Sequence, residues 1–243
     1  MRNLRILSNK NLEQINESLN NPFYSLIIKS VLIGRLVIDC LYIYYDIIND
    51  NYYQEVYMSL KDKEKWDAKY RNSDRILVKP PSEWLTTHTR LLSEEGKALD
   101  IAAGEGRNSV FAASLGYEVV CMDISEVALS KAKGLANEKN VKITTVSADL
   151  DNSFLPENEY DLVLCFNFLD RNLFQEIRNT LKIDGILFYE TFTVDYLKYS
   201  SFKRQWVLEQ NELLKAFEGF RVLRYREVDE NPEAFASLIA QKL

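Results

Sequence analysis

The chain has 243 residues, a formal net charge of -6 and a hydrophobic content of 47%. A chain of this length and apolar content can bury a substantial core, so the composition argues against intrinsic disorder and fits one large α/β domain with an extension. The acidic balance leaves no basic excess to neutralise phosphates, so nucleic acid is not an expected partner.

The cysteines and the histidine limit the metal and redox chemistry of the chain. Cys40, Cys121 and Cys165 are widely spaced and odd in number, which indicates free thiols, a reducing compartment and therefore a cytoplasmic location. The single histidine is His88, and the sequence lacks a Cys-x-x-Cys pair. We therefore predict no metal site.

Residues 1–57 form an apolar extension, most strongly so between residues 23 and 48. Charged residues interrupt that stretch, and each would cost about 2.5–3.5 kcal/mol at the centre of a bilayer, so a membrane-spanning helix is not expected. We predict a mainly helical extension that packs on the domain or on a second subunit, in a monomer or a homodimer. Strands, or peripheral membrane association through residues 23–48, are the alternatives. The interrupting charges are Lys29, Arg35, Asp39 and Asp46.

A charged segment follows, in which Trp66 and Tyr70 lie four residues apart on one face of a predicted helix. Two functions are open for this aromatic pair. It either pins the helix to the core or covers a cofactor pocket. Pro80-Pro81 then breaks the chain before a second helix that begins near Ser82.

The most informative stretch is an apolar run that meets a glycine-rich turn. Residues 98–101 suit a buried strand, Gly104 and Gly106 allow a tight turn that comes close to a ligand, and a helical pattern starts directly afterwards. The next apolar run ends in Asp123, where a βαβ unit places the carboxylate that binds a ribose hydroxyl. The sequence therefore predicts a nucleotide-type cofactor site.

The turn departs from the nicotinamide pattern, because Ser109 stands where the dinucleotide fingerprint has its third glycine, and Asp100 lies four residues before Gly104. In this it resembles the class I S-adenosylmethionine-dependent methyltransferases, whose first motif reads acidic-x-x-x-Gly-x-Gly. The stretches 104–109, 190–193 and 234–240 look most like the tellurite-resistance-type branch. The resemblance covers roughly residues 61–243.

Further strand patterns follow at residues 141–146, 160–166 and 186–190, and two closing runs span 220–228 and 235–241. With the resemblance, they predict a Rossmann-like, doubly wound, seven-stranded sheet, mostly parallel with an antiparallel last strand. The methyltransferase domain is placed at residues 58–243. The tetrapeptide 167–170 is Asn-Phe-Leu-Asp and not the Asn-Pro-Pro-Tyr-like tetrad of many amine methyltransferases, which disfavours an amine acceptor.

The resemblance implies S-adenosylmethionine as cofactor and assigns site residues by motif. The glycine turn would receive the methionine end, Asp123 the ribose and Asp149 the adenine. Glu190 and Thr191 leave the fifth predicted strand where an acceptor could rest. The full set of predicted cofactor-binding residues is Asp100, Ala102, Gly104, Gly106, Asp123, Ile124, Asp149, Leu150, Phe166 and Asn167.

The predicted reaction is methyl transfer to a small-molecule acceptor. No histidine lies near the motif turns, so a soft anionic nucleophile that needs no base, such as a thiolate or a reduced selenium or tellurium oxyanion, fits best. Arg107 follows the turn and is the candidate catalytic residue that attracts such an anion. The alternatives are a nicotinamide or flavin oxidoreductase and a non-catalytic cofactor-binding module that uses residues 1–57 as its partner surface.

Overall fold

The computed structural model describes residues 60–72, 79–150 and 155–243. All of them belong to one unit of the chain, residues 59–243. The predictions for the extension 1–57, for its boundary with the domain and for Cys40 fall outside the described residues.

A sheet of seven strands, in the order β3-β2-β1-β4-β5-β7-β6, forms the centre of the described chain. Strands β1 to β5 pair in parallel, whereas β7 is antiparallel to both β5 and β6. The predicted mostly parallel sheet with an antiparallel last strand is confirmed. The strands are β1 Gly96–Ile101, β2 Tyr117–Asp123, β3 Ile143–Ser147, β4 Tyr160–Phe166, β5 Leu181–Phe192, β6 Arg221–Glu230 and β7 Glu233–Gln241.

Helices lie between most of the strands. The fifth strand begins at Leu181, five residues earlier than the sequence pattern indicates, because Asp184 takes a positive φ of 65° inside it and lets the chain bend without ending the strand. The helices are α1 60–72, α2 Glu83–Thr86, α3 Arg107–Ser114, α4 Glu126–Glu138, α5 Leu173–Thr180 and α6 Glu212–Ala216. Short 3-10 turns span Thr89–Leu91, Val194–Lys198 and Arg204–Trp206.

The central strand β4 shows why the sheet is covered on both faces. Its side chains alternate, so that Leu162 and Leu164 pack with α2 and α3, whereas Val163 and Cys165 pack with α5 and α6. A strand buried on both sides needs an almost continuous apolar sequence, and that is what residues 160–166 provide.

The strand order reverses at β1. The chain runs from β1 to β2 and β3 on one side, then returns to β4 on the other side of β1. In open α/β sheets the ligand crevice lies outside the carboxyl ends of the strands at such a reversal. The turn after β1 and the loop after β4 flank this crevice.

Two of the helix ends follow their sequence signals. Ser125 accepts the N–H of Ala128 on its hydroxyl oxygen at 3.1 Å and so caps α4, as predicted. Helix α3 ends before Gly116, which has a φ of 105° and suits the left-handed position after a helix.

Strand β6 forms one edge of the sheet, opposite the β3 edge. Its register with β7 shifts between Val222 and Arg224, and most of its side chains are at least partly exposed, with Val222 at 47%. The strand therefore contributes little to the core.

Gly106, which immediately precedes α3, approaches α4 so closely that a side chain does not fit. An added Cβ would lie 2.6 Å from the Cβ of Ala132, and the residue has a φ of 74°. We expect Gly106→Ala to lower the free energy of unfolding by roughly 2–4 kcal/mol, because overpacking adds to backbone strain. Urea unfolding measures the change.

The matched control is Gly219→Ala. Gly219 also has a positive φ, 88°, but the nearest atom to an added Cβ is 3.8 Å away. Only the backbone strain remains there, so we expect a loss of roughly 1 kcal/mol. Equal losses at the two positions would show that the contact with Ala132 is unimportant.

Candidate active site

The turn after β1 is built on left-handed backbone conformations. Ala102, Gly104 and Gly106 have φ values of 52°, 56° and 74°. The turn is held by the N–H of Ala103, which donates to the carbonyl oxygen of Met122 at 3.0 Å. A non-glycine residue at positive φ is uncommon, so Ala102 indicates a turn whose shape is fixed by its surroundings.

Asp123, the last residue of β2, joins the turn to the start of α4. Its two carboxylate oxygens accept the N–H groups of Gly104 and Ser125, each at 2.8 Å. Burial raises the pKa of Asp123, and the hydrogen bonds from Ser125 and Gly104 partly offset that effect. Each oxygen has a second acceptor position left, so a ligand hydroxyl can still be bound.

Asp100 lies in β1 beneath the turn and is 2% exposed. It accepts a hydrogen bond from the Ser109 hydroxyl at 2.6 Å, which ties β1 to α3. Burial raises the pKa of Asp100 to about 7, against the hydrogen bonds from Ser109 and the charge of Arg107. The structure thus places Asp100 as a support of the turn.

Arg107 begins α3, where its Nη1 donates to the carbonyl oxygen of Pro80 at 2.9 Å. Burial lowers the pKa of Arg107, and the carboxylates of Asp100 and Glu190 act in the opposite direction. The guanidinium therefore lies between the glycine turn and the acceptor-side carboxylate. Its proposed role in attracting an anion stays a prediction.

Asp67 on α1 is a site residue that the sequence analysis missed. Its carboxylate is 7% exposed and accepts three hydrogen bonds, from the Ser125 hydroxyl at 2.6 Å, the Val127 N–H at 3.3 Å and the Lys63 ammonium at 3.0 Å. Burial opposes its ionisation, but the hydrogen bonds from Ser125 and Lys63 outweigh burial and lower the pKa of Asp67. Asp67 therefore fastens α1 to the start of α4, beside Asp123.

The aromatic pair of α1 lies over the glycine turn. The Tyr70 hydroxyl is 2.7 Å from where a Cβ on Gly104 would be, and Trp66 stacks on Tyr70 with ring centroids 6.0 Å apart. Burial raises the pKa of Tyr70, and the charges of Asp123 and Glu105 add to this. Of the two functions open for the pair, this placement favours the cover over the pocket.

The residues predicted to meet the ribose and adenine lie at the same edge of the sheet. The N–H of Ala148 donates to the carbonyl oxygen of Asp123 at 3.1 Å and brings residues 148–150 to the end of β2. Leu150 and Phe166 are buried, Ile124 and Asp149 are half-buried, and Asn167 is exposed. These residues line the crevice rather than its floor.

Glu190 and Thr191, predicted to contact the acceptor, leave opposite faces of β5. Strand register sets Glu190 beside Ser237 of β7, and Ser237 beside Arg226 of β6. Glu190 accepts the Ser237 hydroxyl at 2.5 Å and the Arg226 guanidinium at 3.4 Å, while Thr191 is 2% exposed. The structure therefore does not bring the two together at one contact.

Chemistry that needs a metal or a membrane span finds no basis in the described part of the chain. There, no group of three His, Cys, Asp or Glu residues could hold a metal ion. Burial raises the pKa of the Cys121 and Cys165 thiols to about 12. None of the helices among residues 60–72, 79–150 and 155–243 is long and apolar enough to cross a bilayer.

Comparisons with known proteins agree with this geometry. Residues 98–185 match a family model described as a methyltransferase domain. The probable S-adenosyl-L-methionine-dependent methyltransferase TehB of Haemophilus influenzae is 27% identical over 165 residues, covering 60% of this chain and 57% of that protein. The chain belongs to the class I S-adenosylmethionine-dependent methyltransferases. It spans little more than half the length of this curated relative.

Solved structures show the same methyltransferase fold. The crystal structure of Haemophilus influenzae TehB gives a TM-score of 0.58 at 23% identity, covering 74% of this chain and 67% of that chain. An S-adenosylmethionine-dependent methyltransferase from Methanosarcina mazei gives 0.54 at 19% identity, covering 68% of this chain and 99% of that chain. Membership in this family implies S-adenosylmethionine as the cofactor, as the sequence analysis predicts.

The signal for Asp67 in this methyltransferase was present but incomplete. The residue follows Trp66 in the segment that was interpreted through its aromatics alone. Its partner Ser125 was identified as a helix cap, but the two lie 58 residues apart, and only the fold brings them together.

We expect the contact between Asp67 and Ser125 to contribute measurably to stability. Asp67→Ala should lower the free energy of unfolding by about 2 kcal/mol, because it leaves the N–H of Val127 and the Ser125 hydroxyl without their buried acceptor. A double-mutant cycle with Ser125→Ala should give a coupling energy of at least about 0.5 kcal/mol. Glu64→Ala, exposed on the same helix, is the control and should change little. Additive losses would contradict the contact.

Stability should depend on pH through Asp100. The pKa of Asp100 is about 7 when folded, against a reference value of 3.8, so between these values the unfolded state loses its proton first and stability falls as pH rises. Asp100→Asn removes this penalty, and its melting temperature relative to wild type should rise by on the order of 5 °C between pH 5 and pH 8.

Thermal unfolding over this pH range measures the effect of Asp100. Glu218→Gln, an exposed position, should follow the wild-type curve. Parallel curves for Asp100→Asn and wild type would show that Asp100 is not held protonated by the fold.

Proposed function

We propose that this chain transfers a methyl group from S-adenosylmethionine to a small-molecule acceptor that presents a soft anionic nucleophile, in the cytoplasm. The observation that carries the proposal is the carboxylate of Asp123 bound to the Gly104 N–H at the strand-order reversal. This arrangement puts a ribose-binding acid next to a turn that a ligand can approach closely.

The crevice fits the cofactor in shape and in polarity. The turn at Gly104 has no space for a side chain under Tyr70, so the backbone itself is presented to the methionine end. Asp123 holds the ribose, and Asp149 with Leu150 meets the adenine. Asp100 and Ala102 shape the turn, while Ile124, Phe166 and Asn167 line the crevice around it.

The protein has positioning to do rather than covalent chemistry. When bound, S-adenosylmethionine supplies an electrophilic methyl group for in-line attack. Orienting the acceptor against that methyl is worth about 7–11 kcal/mol in favourable cases. Tyr70 and Trp66 cover the turn and exclude water from it.

The acceptor class follows from the lack of a free base at the described site. His88 Nδ1 lies 2.9 Å from the carbonyl oxygen of Trp84, away from the glycine turn. A thiolate or a reduced selenium or tellurium oxyanion needs no base. The resemblance to the tellurite-resistance-type branch supports this acceptor class, and Arg107 attracts the anion.

Cofactor binding gives the first test of the proposed function. In calorimetric titrations S-adenosylhomocysteine should bind and NAD should not, and Asp123→Ala should weaken binding by roughly 100-fold, since hydrogen bonds to a buried charged group are strong. Glu157→Ala, exposed at the far end of β4, is the control. Binding of NAD alone would support the oxidoreductase alternative.

Turnover gives the second part of the same test. A panel of thiols, selenite and tellurite is assayed for release of S-adenosylhomocysteine, with wild type and Arg107→Gln compared on each acceptor. Arg107→Gln should raise KM for the acceptor more than it changes the affinity for cofactor. Cofactor binding without turnover of any acceptor would support the non-catalytic module instead.

A further inference from the structure

A row of aromatic rings leads away from the end of β5. Phe192 stacks on Tyr196 at 4.3 Å between ring centroids, and Phe202 lies 5.4 Å from each of them. Trp206 follows at 6.2 Å from Phe202. Phe202 and Trp206 remain 42% and 40% exposed, so the row ends in a surface of open ring faces.

This row meets α1 at a lysine. Lys65 Nζ lies 5.6 Å from the ring centroid of Trp66 and 5.4 Å from that of Trp206. Two more ammonium groups lie over the same rings, Lys69 at 4.2 Å from Trp66 and Lys203 at 5.0 Å from Trp206. We name these five residues the aromatic–lysine mouth.

The lysines of the mouth form a positive cluster in an acidic protein. Among the described residues, no carboxylate forms an ion pair with Lys65, Lys69 or Lys203, whereas the neighbouring Lys63 and Arg204 pair with Asp67 and Glu209 at 3.0 and 2.7 Å. Burial lowers the pKa of Lys69, and the charges of Lys65 and Lys79 add to this. The chain as a whole carries -6, so this local excess of positive charge favours an anionic ligand.

The mouth lies at the crevice. Trp66 stacks on Tyr70, which lies against Gly104 of the turn, while the aromatic row begins at Phe192, two residues beyond Glu190. The rings therefore extend from the turn after β1 to the end of β5. An acceptor approaching the crevice between these two points passes over them.

We propose that the aromatic–lysine mouth binds the body of the methyl acceptor, and that this acceptor is an organic anion with a planar ring, of the aromatic carboxylate class. Its ring stacks on Trp206 and Phe202, and its carboxylate pairs with Lys65 and Lys203. An inorganic oxyanion would use the charges and leave the ring faces unused. The inference rests on the proposed function and narrows its acceptor.

The test uses ligands that do not react, so that it is independent of turnover. With S-adenosylhomocysteine at saturation, calorimetric titrations compare 2-naphthoate, its neutral isostere 2-naphthamide, and acetate. We expect 2-naphthoate to bind roughly ten-fold more tightly than 2-naphthamide, and acetate to bind more weakly than either, with the preference for 2-naphthoate falling at high salt. Equal binding of the three, or a preference for acetate, would overturn the proposal.

Variants divide the charge from the stacking surface. Lys65→Gln combined with Lys203→Gln should bring the affinity for 2-naphthoate down to that for 2-naphthamide, and Trp206→Leu should weaken both. Lys142→Gln, exposed just before β3 at the opposite edge of the sheet, is the charge-matched control and should change neither. Unchanged binding of 2-naphthoate in the double variant would overturn the proposal.

Two further outcomes separate this inference from the proposed function. If the double lysine variant instead weakens the binding of S-adenosylhomocysteine, the lysines serve the cofactor carboxylate and the mouth is not an acceptor site. If S-adenosylhomocysteine does not bind even to wild type, the proposed function fails, and titration of 2-naphthoate into the ligand-free protein still decides whether the mouth binds aromatic anions.

Discussion

The carboxylate of Asp123 holds the site together. By accepting the N–H groups of Gly104 and Ser125, it connects the turn after β1, the end of β2 and the start of α4. The hydroxyl of Ser125 then donates to Asp67, so α1 is attached to the same point. A turn with left-handed residues would be costly on its own, and these contacts keep it in one conformation.

The parts of the site that the sequence could predict are those with local signals. The strand that ends in Asp123, the glycines after β1 and the Ser125 cap each depend on residues within a few positions of one another. The doubly wound sheet follows from such units in series. Contacts between distant segments carry no such pattern, and this is why Asp67 was missed although Ser125 was identified.

The acceptor side shows the same limit from another direction. Glu190 was correctly placed at the end of β5, but its partners come from β6 and β7 through the register of two antiparallel pairs. A shift of that register by one residue would give Glu190 different neighbours. The alternation of β5 likewise separates Glu190 from Thr191, which an interpretation by sequence proximity had paired.

The charges of β6 have a consequence for how this protein behaves beside its own copies. This strand carries the backbone groups that remain unpaired at one margin of the sheet, where strand addition and aggregation begin. The irregular pairing beyond Val222 interrupts the flat surface that a second strand would need. Arginine and acidic side chains along the rest of β6 keep water at this margin, so the sheet stops growing there.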